Sequence, residues 1–215
     1  MICFCITALG QTSFGIKAGF GGSYLSTKID PKYIPNSTQK FYWRPITRHG
    51  GFFYNYQMKN KSLIGAEILF LRVEGKESIE TIYKVQGNRE AYSITTTIWR
   101  NFSYLSIPIY YGYAFKKIKL NMGLQTSINL YNAYYIERKS TLPMLFIQPD
   151  YFKMQVDRFN FGLSGSVLYN LTKKIALEAE YYYGLNNLLI SNSKKETWKL
   201  QKATLGVRYN FSAKQ

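Results

Sequence analysis

Apolar and polar positions alternate along most of this chain, and the alternation is cleanest from Tyr104 to Tyr131. Leu105, Ile107, Ile109, Tyr111, Tyr113 and Phe115 fall on one side of the first run; Ser106, Pro108, Tyr110, Gly112 and Ala114 fall on the other. After a basic turn at Lys116–Lys119, Leu120, Met122, Leu124, Ile128 and Leu130 stay in phase, opposite Asn121, Gly123, Gln125, Ser127 and Asn129. Successive side chains of a strand point to opposite faces, so the pattern predicts a long β-hairpin with one apolar side.

The same period recurs in six further segments. The first strand starts at Ser13, with Phe14, Ile16, Ala18 and Phe20 against Gly15, Lys17, Gly19 and Gly21. Gly50–Met58 and Ser62–Val73 flank the turn Lys59-Asn60-Lys61, and Glu67 stands opposite the set Ile64, Ala66, Ile68 and Phe70. Phe159–Asn170 and Ile175–Leu185 flank Thr172-Lys173-Lys174, with Glu178 and Glu180 opposite Leu177, Ala179 and Tyr181. The last strand, Leu200–Phe211, sets Lys202, Thr204, Gly206 and Arg208 against Ala203, Leu205, Val207 and Tyr209.

Four long polar segments, Thr27–His49, Glu74–Thr97, Asn132–Arg158 and Asn186–Lys199, alternate with the three short turns. Long loops at one rim and short turns at the other predict an all-β fold: an eight-stranded antiparallel up-and-down transmembrane β-barrel, with short periplasmic turns and long extracellular loops. The non-apolar faces favour lipid outside over a soluble sandwich or a lipocalin-like barrel. They carry Gly, Ser, Asn and Gln, which suit a narrow lumen, where an exposed soluble sheet would more often carry Lys, Glu and Thr.

Composition agrees with that reading. Aromatic residues make up 17% of the 215, including 20 Tyr and 14 Phe, and Tyr collects where membrane meets water. The chain lacks the ~18 consecutive apolar residues of a spanning helix, and a closed barrel satisfies its backbone in lipid without one. The net charge is +16. No helix or RNP-like strand gathers those cations, so the expected partners are outer-membrane lipid and lipopolysaccharide phosphates, with no nucleic acid. The opening MICFCITALG reads as a signal-peptide remnant over residues 1–10, leaving 11–215 as the barrel domain.

The blocks FGIKAGFGGS, YLSIPIYYGYAF with its partner LNMGLQTSI, FGLSGSVLYNLTKKIALEAEYYYGLNNL and the closing LGVRYNF resemble the PorT-like outer-membrane β-barrel family of Gram-negative bacteria. The resemblance implies an eight-stranded barrel in the outer membrane, and the loop layout puts both termini at the short-turn, periplasmic rim. It carries no catalytic signature, and its founding member serves protein secretion, so secretion-machinery or other envelope proteins are expected partners.

Candidate chemistry is sparse. Cys3 and Cys5 are the only cysteines and His49 the only histidine, so no metal or cofactor site is expected. His49, the one base available to a hydrolytic triad, reads as an exposed histidine at the end of the first long loop. Glu178 and Glu180 share a strand face and have the look of a paired-carboxylate site. The alternative is a lumenal ion network, in which Lys17, Glu67, Glu178, Glu180 and Arg208 compensate one another, because buried charge is costly unless paired. Eight strands leave room only for side chains, which disfavours a diffusion pore. Phe41, Tyr42, Trp43, Phe146, Tyr151 and Phe152 are the candidate loop contacts for a partner or glycolipid. The expected role is structural or interactive and non-enzymatic, as an accessory to protein secretion or in surface binding through the extracellular loops. The alternatives are a small barrel enzyme acting on lipid A or peptides and a soluble lipid-binding β-barrel.

Overall fold

Runs rich in Ile, Leu, Phe and Tyr, with Gly, Ser and Asn interleaved, pair as strands because a pleated sheet lets each face meet a different solvent. The computed structural model describes residues 10–29, 40–43, 46–84, 91–140, 150–152, 156–188 and 196–211. Within them lie β1 (Gly10–Ile29), β2 (Lys40–Trp43), β3 (Ile46–Met58), β4 (Ser62–Lys84) and β5 (Ala91–Phe115). They are followed by β6 (Ile118–Ser140), β7 (Asp150–Phe152), β8 (Phe159–Asn170), β9 (Ile175–Gly184) and β10 (Glu196–Asn210).

Eight of these close a ring of antiparallel pairs in the order β1, β3, β4, β5, β6, β8, β9, β10 and back to β1. The seam pairs Gly15 with Asn210 and runs up to Ile29 beside Glu196. The short turns and both ends of the described chain share one rim: Gly10 faces Met58, and Phe211 N–H donates to the Phe14 carbonyl at 2.9 Å. Lys61 and Lys116 take left-handed φ values of 70° and 42° in two of those turns, as tight hairpins require.

The outer wall is apolar as the alternation predicts. Phe20 and Met122 are 72% and 74% exposed, and Ile109 and Leu124 stand side by side on β5 and β6. Near the short-turn rim Phe14 meets Phe211, Tyr113 meets Phe115 and Tyr209 meets Phe211, with ring centroids 4.7 to 5.8 Å apart. This is one girdle of the aromatic excess read from composition. A register shift at Ser103/Tyr104 leaves Leu130 without its own partner, so both Leu130 and Tyr131 point outward.

Two expectations need correction. The polar segments are not all loop: β4 and β5 stay paired from Gly75–Arg100 up to Lys84–Ala91, and β6 follows β5 as far as Ser140. These three strands rise as a wall beyond the barrel, with β2 along β4 and β7 along β6. Beyond the lipid neither face must be apolar, so the period vanishes while backbone pairing continues, helped by the β-branched run Ile94–Thr97. Lys76 Nζ lies 4.6 Å from the Trp99 ring across this wall.

The second correction concerns the lumen, which is polar only in part. Its upper end is filled by Leu71, Val73, Phe102, Tyr104, Tyr182 and Leu200, with Val156 and Leu188 over them. The Asp157 N–H donates to the Leu188 carbonyl at 2.7 Å and ties these covering segments together. Below the apolar plug, Ser106 and Ser127 share a hydroxyl hydrogen bond of 2.8 Å and Gln125 donates to Ser127 at 3.2 Å. Ser106→Ala is expected to lower stability by about 1 kcal/mol, read as a lower urea midpoint with an unchanged slope.

Candidate functional site

Four strands deliver one charged cluster to the middle of the lumen. Lys17 comes from β1, Glu67 from β4, Glu178 and Glu180 from β9, and Lys202 and Arg208 from β10; all are at least 93% buried. Each sits at an inward position because its strand neighbours, Gln201 beside Lys202 aside, are apolar and face outward, so the pleat leaves these side chains only the interior.

Lys17 Nζ donates to Glu67 Oε2 at 2.8 Å and to Glu180 Oε2 at 2.9 Å, and stands 2.9 Å from Glu178 Oε2. Arg208 Nε donates to Glu178 Oε2 at 2.9 Å, and its Nη2 bonds both Glu178 Oε1 and Glu67 Oε1. The guanidinium thus holds Glu178 with a two-pronged fork, the geometry that suits a buried carboxylate best. Lys202 Nζ donates to Glu180 Oε1 at 2.5 Å. Three cations meet three carboxylates, and the six formal charges sum to zero.

Aromatic rings insulate the cluster. Arg208 Cζ lies 5.0 Å from the Phe53 ring centroid and 5.8 Å from that of Tyr110, within cation–π range. The Tyr110 hydroxyl accepts from Arg208 Nη1 at 3.1 Å and donates to Asn55 Oδ1 at 2.6 Å. Gly65 makes this possible, since a Cβ there would lie 2.4 Å from the Tyr110 ring and 2.3 Å from Asn55 Oδ1. The void left among Lys17, Glu67, Glu178, Glu180 and Arg208 is about 10 Å³, room for one water at most.

The structure brings together the five charged residues singled out from the sequence and adds Lys202, Tyr110 and Phe53. Lys202 was legible as an inward residue of the last strand. Tyr110 was legible as inward-facing, beside Ser106 and Gly112, but not as a partner of Arg208, and Phe53 gave no signal, because a large aromatic in a barrel strand reads as a belt residue. His49 is corrected. It is buried in the lumen on β3, with Nε2 4.0 Å from Glu180 Oε2. The strand begins at Ile46, and its phase, Thr47 and His49 in, Ile46 and Arg48 out, is hidden in sequence by Arg48 and the Gly50-Gly51 pair.

Of the loop candidates, Phe41, Tyr42 and Trp43 belong to β2 beside Glu77–Ile79 of β4. Tyr151 and Phe152 belong to β7 beside Tyr134 and Tyr135. Phe146 lies outside the described residues. On the outer surface Arg48 and Arg72, opposite one another on β3 and β4, both reach Glu74 Oε1, at 2.9 and 2.6 Å.

The chain is similar in fold to solved outer-membrane proteins. Neisserial surface protein A is 13% identical, with 94% of this chain and 99% of that one covered and a TM-score of 0.45. Ail, the attachment invasion locus protein of Yersinia pestis, is 14% identical over the same shares with a TM-score of 0.45. The outer membrane protease OmpT from Escherichia coli is 11% identical, covering 94% and 96%, with a TM-score of 0.34. Among curated proteins none matches the sequence. A family model described as the outer membrane protein beta-barrel domain matches residues 10–189. The chain belongs to that family of outer-membrane β-barrels.

Proposed function

We propose that this protein is a PorT-like, non-enzymatic barrel of a Gram-negative outer membrane. In this reading it is a closed membrane anchor that holds a binding face above the surface. The observation that carries it is the contrast between the two ends. The lumen is sealed by the charged cluster and by the apolar plug above it, while β4, β5 and β6 continue as a wall past the barrel. A filled eight-stranded barrel offers no path for solutes, which leaves display as the work of the extra strand length. The only histidine lies under the plug, out of reach of a lipid A or peptide substrate, which supports the non-enzymatic reading.

With the short turns and termini periplasmic, the wall is extracellular and Arg48 and Arg72 stand toward the outer leaflet. Two guanidiniums sharing one carboxylate retain capacity for a lipopolysaccharide phosphate. The strands β2 and β7, which carry the aromatic segments, flank the wall and are the proposed contacts for an envelope or secretion partner. A cysteine at Ser140 is expected to react with an impermeant thiol reagent on intact cells, and one at Asn60 is not. Reconstituted in a planar bilayer, the protein is expected to give no conductance steps. Channel activity, or labelling at Asn60 with protection at Ser140, would sink this reading.

A further inference from the structure

The end of the lumen opposite the wall holds a second polar compartment that the charged cluster does not use. Beneath Arg208 the barrel opens at the short-turn rim into a vestibule of about 540 Å³. Lys116 and Lys117 reach it from the β5–β6 turn, Lys119 from the first inward position of β6, and Lys173 and Lys174 from the β8–β9 turn. None of the lining residues is acidic. The carboxylates above are already matched by Lys17, Lys202 and Arg208 and have no charge to spare. Lys119 is half-buried on the vestibule wall, and no carboxylate among the described residues lies within ion-pair distance of it.

A cavity of that volume is about 10 Å across, close to the Debye length of about 8 Å at physiological salt. The five ammonium groups, four of them on exposed turns, are therefore partly screened from one another, but concave walls concentrate their shared field on whatever enters. Gln57 and Asn170 add amides that can donate to a carbonyl and accept from an N–H, while Leu168 and Leu171 offer apolar contact. Separated lysines suit several separate carboxylates, the amides suit peptide groups, and the volume exceeds what one phosphate needs. We propose that this vestibule binds an acidic peptide segment presented by a partner in the aqueous compartment on the short-turn side.

The test uses the full chain in neutral detergent micelles and a short fluorescein-labelled peptide of alternating Glu and Gly, with the Gln–Gly peptide as its neutral counterpart. Anisotropy should report binding of the Glu peptide and not of the Gln peptide, weakening steeply with salt. The triple variant Lys119→Gln, Lys173→Gln, Lys174→Gln should weaken it by about tenfold or more. All variants should keep the heat-modifiable mobility of a folded barrel. Lys59→Gln with Lys61→Gln removes charge from the neighbouring turn, outside the vestibule, and should change affinity by less than about twofold. An equal loss in that control would assign binding to net charge and overturn the site. So would no binding of the Glu peptide, or its displacement by inorganic pyrophosphate at concentrations where unlabelled Glu peptide does not compete.

Discussion

Replacing Arg208 by methionine is expected to destabilise the barrel by about 3–5 kcal/mol, measured by urea unfolding from lipid vesicles. The guanidinium is bonded to both Glu67 and Glu178, so its loss leaves Lys17 and Lys202 facing three buried carboxylates. Glu178→Gln should be comparably harmful for the opposite reason, since Arg208 and Lys17 then share fewer negative charges. Combining the two removes one charge of each sign, and the double variant should recover part of the loss, because residues in one network couple strongly. Additive losses would show that the contacts act independently. A catalytic pair behaves otherwise: Glu178→Gln would unfold at the wild-type midpoint yet abolish an activity of the purified protein.

Arginine at Leu124 or at Ile109 is expected to block insertion, at about 2–4 kcal/mol for each site near the bilayer midplane. The two side chains are 62% and 58% exposed and stand opposite each other on adjacent strands, so the paired substitution places two guanidiniums together in hydrocarbon. Their absence from the membrane fraction, with protein in aggregates, is the expected outcome. Gly123→Arg, one residue away, should fail by another route. A Cβ there would sit 2.0 Å from the Ile109 carbonyl oxygen, so the fault is steric and persists with Gly123→Ala. Normal fractionation of the Leu124 and Ile109 variants would mean that this face does not meet lipid.

Wherever one face of a strand meets lipid, its side chains were legible, because hydrocarbon enforces the alternation residue by residue. Ile107 to Phe115 and Leu120 to Leu124 are the clear cases. The inward charges were legible for the same reason: a Glu between Leu177 and Ala179 has nowhere else to point. What escaped lies where that constraint lapses. From Gly75 to Lys84 and from Ala91 to Arg100 both faces are outside the bilayer, and a paired strand reads like a polar loop. In the upper lumen Leu71, Phe102 and Tyr182 break the polar-inside pattern, since a plug needs bulk and the sequence does not say at what height a residue sits. His49 escaped because two glycines interrupt the period beside it.

The seam between β1 and β10 gives the charged cluster a place in the order of events during assembly. Lys17 meets Glu180 across 163 residues of sequence and Arg208 meets Glu67 across 141, so these bonds are among the last that a hairpin-by-hairpin route can make. Until the first and last strands meet, the growing sheet carries Lys17 at one edge and Arg208 at the other, each short of its distant partners. An unclosed intermediate can already pair Lys17 with Glu67, and Arg208 and Lys202 with Glu178 and Glu180, so what it lacks in lipid is partners for its bare backbone edges and the bonds across the seam. Closure then ties the two halves together through Lys17–Glu180 and Arg208–Glu67, and release from whatever machinery inserts the chain is favoured only once the circle is complete.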